Sequence, residues 1–331
     1  MPLLRKMILL RRMRSILLAC VLGCLLHPVL AFPQTVPAAS AHQSLDDAWW
    51  TGPMLANSAG TLTPGHFLVE PYLYDISSAH SDSYGSRTYI LYGLANRLTV
   101  GVIPVLGYNT MSGGAHSSHV GIGDFTVLAQ YQLTQFHEGD WLPTIAVEVQ
   151  ETLPTGKYDR LGDRPADGFG SGVHTTTLQL NTQTYFWVPN GRILRMRFDV
   201  SQAFSSDANV EDVSVYGTGP GFRGKAKPGS SFFADLSWEY SLTRSWVLAL
   251  DLTYSHSRRT RVIGSMPDAD GLSTLHDIRL DSSSVTAFGF TPAIEYNWNP
   301  NIGVLLGTRV IPGGRHTDTS VTPAVALNMV F

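Results

Sequence analysis

From residue 65 to the C-terminus the chain is a succession of segments of about ten residues in which apolar and polar side chains alternate, each closed by a turn. Between 231 and 242, Phe232, Ala234, Leu236, Trp238, Tyr240 and Leu242 fall on one side and Asp235, Ser237, Glu239 and Ser241 on the other. Between 245 and 256, Trp246, Leu248, Leu250, Leu252 and Tyr254 oppose Asp251, Thr253 and Ser255. A helix would scatter such residues around its axis, whereas a strand, with a side-chain period of two, sorts them onto opposite faces.

Twelve such strands are predicted, at 65–75, 86–94, 97–108, 119–134, 141–153, 173–187, 191–204, 230–242, 245–257, 284–298, 301–311 and 320–331. Their connections alternate in length. Ala95-Asn96, Phe136 to Asp140, Val188 to Asn190, Thr243-Arg244 and Asn299-Pro300 are short. Longer loops lie between them at 76–85, 109–118, 154–172, 205–229, 258–283 and 312–319. Short turns on one rim and long loops on the other are the asymmetry of bacterial outer-membrane barrels, with the short turns in the periplasm. The expected fold is therefore all-β: a closed antiparallel transmembrane β-barrel of about twelve strands in an up-and-down meander, over 65–331.

The N-terminus reads as an export signal. Arg5, Lys6, Arg11, Arg12 and Arg14 precede an apolar run from Ile16 to Leu30, and Val29-Leu30-Ala31 fits a cleavage site, giving a signal over 1–31. Met7 and Met13 are alternative starts. A membrane anchor is the rival reading, disfavoured by the short run and by Pro28. Cys20 and Cys24 both lie in this segment. A lipoprotein site at Cys24 is disfavoured by the apolar Leu25 and Leu26 that follow it. Cleavage after Ala31 leaves a mature chain without cysteine, carrying 18 basic against 26 acidic residues, a net charge of −8. That balance lacks the basic footprint of a nucleic-acid binder. The mature chain has no apolar run long enough for a transmembrane helix, and a closed barrel is the other structure that satisfies its backbone in lipid.

Aromatic residues gather at the strand ends. Tyr131, Trp141, Phe186, Trp238, Tyr240, Trp246, Tyr296, Trp298 and Phe331 fall at the periplasmic ends, and Tyr108, Phe204 and Tyr254 near the outer ones. Such girdles rest at the lipid headgroups, which makes outer-membrane lipid an expected partner. Val325, Leu327, Met329 and Phe331 share a face of the last strand. A terminal aromatic there resembles the signal read by the outer-membrane assembly machinery. Residues 32–64 do not alternate and are read as a periplasmic extension, in which Trp49 and Trp50 either plug the barrel mouth, bind a partner or pack on the rim.

Glu151-Thr152-Leu153-Pro154-Thr155-Gly156-Lys157-Tyr158-Asp159 runs towards Gly168-Phe169-Gly170-Ser171-Gly172 and the strand Thr177-Leu178-Gln179-Leu180. With Gly121-Ile122-Gly123-Asp124 and Leu94-Ala95-Asn96-Arg97-Leu98-Thr99-Val100-Gly101, this resembles the outer-membrane transporter-like family named for the meta-pathway of phenol degradation. The resemblance covers most of 65–331 and leaves 32–64 outside. It implies a barrel that passes small, aromatic or otherwise hydrophobic compounds. The family has no agreed catalytic residues, so none is carried over.

The polar strand faces should line the lumen with Glu70, Arg87, Asp124, Glu148, Gln150, Gln179, Asn181, Gln183, Arg195, Arg197, Asp199, Asp235, Glu239, Asp251, Glu295 and Arg309, eight carboxylates against four arginines. One reading is a wet, mildly cation-preferring pore. The other is a ladder of ion pairs filling a narrow barrel. The antiparallel neighbours Arg195, Arg197 and Glu239 favour the second.

A lipid hydrolase would need a serine within reach of a base. Ser255-His256-Ser257 and His116-Ser117-Ser118 are the candidates, although neighbours on a strand point oppositely. Asp268-Ala269-Asp270-Gly271 holds part of a calcium-loop pattern without the remaining ligands. No metal, cofactor or catalytic residue is expected. The leading expectation is a passive channel or facilitator for small solutes. The alternatives are a non-conducting structural or interaction barrel and a lipid hydrolase.

Overall fold

A computed structural model describes residues 42–79, 81–111, 114–267 and 275–331. Residues 1–41, which include the expected export signal with Cys20 and Cys24, and the Asp268–Gly271 pattern lie outside the described residues.

The chain forms a closed barrel of twelve antiparallel strands joined in sequence order. These are β1 (Phe67–Ser78), β2 (Ser81–Ala95), β3 (Leu98–Ile103 and Val105–Met111), β4 (Gly121–Ile122 and Phe125–Thr134), β5 (Thr144–Leu153), β6 (Thr175–Trp187), β7 (Ile193–Ser205), β8 (Ser231–Ser241), β9 (Trp246–Ser257), β10 (Val285–Asn299), β11 (Ile302–Ile311) and β12 (Ser320–Val330). Pairing of β1 with β12 closes the seam, from Leu68 opposite Val330 to Ser78 opposite Ser320. The backbones of Phe67 and Phe331 exchange two further hydrogen bonds at its periplasmic end, at 3.0 and 2.8 Å. Closure removes the sheet edges that would otherwise expose unpaired backbone groups to hydrocarbon. No helix among the described residues is long and apolar enough to cross a membrane.

The two faces are inverted relative to a water-soluble protein. Asp251 and Glu295 are fully enclosed, whereas Leu250 is 36% and Leu306 57% exposed. Apolar side chains therefore face lipid and polar ones the lumen. Tyr131, Phe186, Trp298 and Phe331 are exposed at the periplasmic rim, and Tyr296 meets Trp246 at a tilt and Trp298 edge-on, with ring centroids 4.7 and 5.4 Å away. Pro292 lies within β10, and the pairing of β10 with β11 lapses between Phe290 and Ala293, where proline has no N–H to offer.

The outer loops are more ordered than their lengths suggest. The expected loop at 76–85 is largely taken up by the strands themselves, since β1 and β2 stay paired as far as Ser77 opposite Asp82. The connections at 205–229 and 258–283 contribute Ala208–Glu211, Arg223–Lys227, Arg261–Pro267 and Leu275–Asp281 to a separate four-stranded sheet. Its core is Ala208, Val210, Phe222, Ala226 and Val262, joined by Val173 from just before β6.

Candidate functional site

Residues 43–62 have no regular structure apart from a single turn at Leu45–Asp47. Gln43 fastens the start to the periplasmic rim: its N–H donates to Gly191 O at 2.8 Å and its amide to Ser241 Oγ at 2.9 Å. Trp49 lies against Arg244 and Trp50 against Arg195, each with the guanidinium over the ring, at 4.8 and 4.4 Å. From Thr51 the chain rises into the lumen as far as Asp251 and Asp199, in the middle of β9 and β7. It then turns back to the rim, where Leu62 N–H donates to Thr99 Oγ1 at 2.9 Å. The sequence placed all of 32–64 in the periplasm, with the tryptophan pair plugging the barrel mouth, binding a partner or packing on the rim. In the structure residues 51–62 occupy the lumen, and the indoles sit where the segment enters.

A segment without its own ladder must find acceptors for its N–H groups once water is excluded. The lumen carboxylates supply them. Glu295 accepts from Thr51 N–H at 2.7 Å and Gly52 N–H at 3.2 Å. Asp251 accepts from Met54 N–H at 3.1 Å and Ala56 N–H at 3.3 Å, one oxygen each. Asp199 accepts from Asn57 N–H at 2.6 Å, and Glu148 from the Asn57 side-chain amide at 3.5 Å. The carbonyls are served in turn: Arg197 donates to Ala56 O at 3.0 Å, and Gln130 to Ser58 O and Gly60 O at 2.9 and 3.2 Å. The excess of acids over arginines on this face thus has a use that neither a wet pore nor an ion-pair ladder requires.

The remaining inward residues divide by level. Near the periplasm, Arg195 donates two hydrogen bonds to Glu239, through Nε at 2.6 Å and through Nη2, and Arg197 Nε lies 3.3 Å from the same carboxylate. Glu70 accepts from Asn328 at 3.0 Å. Gln150 donates to Glu148, Gln179 to Asn181 at 2.7 Å, and Asn181 to Gln130 and Glu148 at 3.2 and 3.3 Å. Gln183 donates to Tyr185 at 2.7 Å. Asp235 is enclosed without a hydrogen bond. Above Met54–Asn57, towards the outer rim, lies a cavity of about 480 Å³ lined in part by Arg87, Arg309, Gln150 and Gln179. Below it, a cavity of about 390 Å³ separates the segment from β1–β4.

Asp124 belongs elsewhere. It stands at the outer end of β4 and accepts from Gly156 N–H at 3.0 Å, Ser171 N–H at 2.7 Å and Ser171 Oγ at 2.6 Å. The glycine-rich motifs of the sequence meet here. A Cβ on Gly170 would lie 2.2 Å from Gly156 O, and one on Gly121 would lie 1.9 Å from the Phe169 ring. The motifs are a clasp that folds the 154–172 loop onto β4. Beside it, Asp167 accepts from Ser118 N–H and Oγ, both at 2.8 Å. These bonds hold its carboxyl below the usual carboxylate range.

The candidate hydrolytic residues do not assemble. His256 Nδ1 faces Thr286 Oγ1 at 2.9 Å, and Ser117 Oγ donates to Ala166 O at 2.8 Å. Ser118 Oγ lies between His119 Nδ1 (2.7 Å) and Asp167, the reverse of the serine–histidine–acid order. No group of three or more His, Cys, Asp or Glu side chains able to hold a metal occurs among the described residues.

With this geometry in hand, comparison with known proteins places the chain. Residues 53–310 match the family model Phenol_MetA_deg, described as "Putative MetA-pathway of phenol degradation". The chain belongs to this family. The Phenol_MetA_deg match begins at Pro53, so it takes in most of the lumen segment, which the sequence resemblance had left out. No curated protein matches the chain in sequence. Among solved structures, the COG4313 outer membrane channel from Pseudomonas putida F1 is similar over 90% of this chain and 100% of that one, at 16% identity and a TM-score of 0.61. It shares the fold. The NanC porin (10% identity, 79% and 98% covered, TM-score 0.44) and the Pseudomonas putida toluene transporter TodX (10% identity, 87% and 96% covered, TM-score 0.41) are more distant from this Phenol_MetA_deg barrel.

Proposed function

We propose that this outer-membrane barrel is a passive facilitator for small hydrophobic or aromatic solutes, and that its own residues 51–62 are the gate. The observation that carries this reading is that the segment fills the lumen between two cavities and is held there by hydrogen bonds to carboxylates and other polar side chains on the wall. Such bonds can be exchanged for water, so the obstruction is reversible. The family's phenol-degradation description supports small aromatics as cargo. The exposed terminal ring of Phe331 supports its reading as the signal to the assembly machinery.

The test compares the full chain with its Asp251→Asn, Glu295→Gln variant in planar bilayers and in phenol-loaded liposomes. The wild type should give rare, brief openings. The variant should give longer ones and faster phenol flux. A variant whose segment exchanges freely with deuterium yet passes neither current nor phenol would instead establish a non-conducting structural barrel. Fatty-acid release in the same liposomes that disappears with His256→Ala would favour the hydrolase.

A further inference from the structure

The outer cavity is two-sided in its chemistry. Tyr72 and Tyr74 of β1 and Tyr89 of β2 present rings to it, with Phe233 across the lumen. Arg87 stands opposite Tyr72 in the β1–β2 register. Arg309 stands opposite Thr322, two residues before the Ala324 that faces Tyr74. The two guanidinium groups therefore flank the tyrosines. Tyr74 lies flat over Gly85, where a Cβ would be 2.4 Å from the ring.

Neither guanidinium is held by a hydrogen bond within the barrel. Among the described residues, no hydrogen bond or ion pair joins Arg87 or Arg309 to a protein acceptor. Arg87 is exposed to the cavity and its guanidinium stands 5.7 Å from the Tyr89 ring. The Nε of Arg309 is buried without an acceptor. A buried donor left without a partner calls for an acceptor from outside the chain. The nearby acids do not meet that need. Asp199 is taken by Asn57 N–H, and Asp235, itself without a hydrogen bond, does not come within bonding distance of Arg309. Arg87 is exposed and Arg309 half-buried, which leaves Arg87 the readier of the two to take a ligand.

We propose that this cavity is a binding site for small aromatic carboxylates, with the ring between the tyrosines and the carboxylate on Arg87 and Arg309. The proposal rests on the facilitator reading and narrows its cargo from hydrophobic compounds in general to aromatic anions. The volume of about 480 Å³ suits a molecule of one or two rings. Planar, two-pronged donors match a carboxylate better than a hydroxyl.

Titration calorimetry of the detergent-solubilised full chain tests it, with benzoate, benzyl alcohol, toluene and acetate as probes. Benzoate should saturate and bind at least tenfold more tightly than benzyl alcohol, and acetate should not saturate. Arg87→Gln should weaken benzoate at least tenfold, Arg309→Gln less, and Arg87→Lys should restore part of the loss. All four proteins are checked for the heat-dependent gel shift of a folded barrel, and the wild-type probe comparison decides if a variant fails that check. Equal binding of benzoate and benzyl alcohol, or benzoate binding indifferent to both arginines, overturns the carboxylate site. Toluene or phenol flux through the loosened barrel would then still uphold the facilitator. Loss of that flux, with benzoate still bound, would remove the facilitator and leave the site.

Discussion

At the scale of single residues, the lumen acids matter for what they accept. Asp251→Ala strips the acceptor from two enclosed N–H groups, those of Met54 and Ala56. An unsatisfied buried donor costs about 1–3 kcal/mol, so the docked segment should lose about 2–6 kcal/mol for the two. Hydrogen–deuterium exchange at Met54 and Ala56 should quicken accordingly, while β9 amides stay protected. Glu239 is a different case, since it neutralises both Arg195 and Arg197 in an enclosed site. Glu239→Gln leaves two buried cations and should cost about 3–5 kcal/mol in urea unfolding of the barrel. The period of two told which residues point inwards, down to Glu239 and Asp251. What they touch was hidden, because Thr51 to Leu62 carries no periodicity and binds mostly through its backbone. The available signal was a surplus of carboxylates facing an unpatterned stretch of small residues and glycine.

At the scale of elements, the clasp explains why short glycine motifs far apart in sequence travel together. Gly170→Ala would drive a methyl into the Gly156 carbonyl, and neither backbone has a side chain to move aside. Limited proteolysis should then cut within 154–172 while the barrel keeps its heat-dependent gel shift. The neighbouring Asp167–Ser118 contact carries a pH dependence. Its carboxyl titrates lower when folded than unfolded. The stabilisation is therefore complete above the unfolded value, near pH 3.9, and is lost as pH falls through the folded one. Exchange at Ser118 should rise between about pH 4 and pH 2, and Asp167→Asn should remove that dependence. The loop strands at 208–211, 223–227, 261–267 and 275–281 were not legible, since they are short, charged and broken by glycine. The barrel strands were, because each spans enough residues for alternation to stand out.

At the scale of the whole molecule, two independent patterns in the sequence specify the architecture: alternation along strands and alternation in the length of their connections. Neither bears on what fills the interior, which depends on how wide a twelve-stranded ring is and on which segment lies nearest to it. The filling segment has a topological property of its own. It goes in and comes out at the same rim, fixed by Gln43 at Gly191 on one side and by Gly65 N–H at Gly93 O, 2.9 Å away, on the other. It is thus a bight and not a thread. It can be drawn down into the periplasm and pushed back with no chain end passing through the ring and no strand pair parting at the seam. A disulfide or crosslink between β1 and β12 should accordingly leave its exchange unchanged.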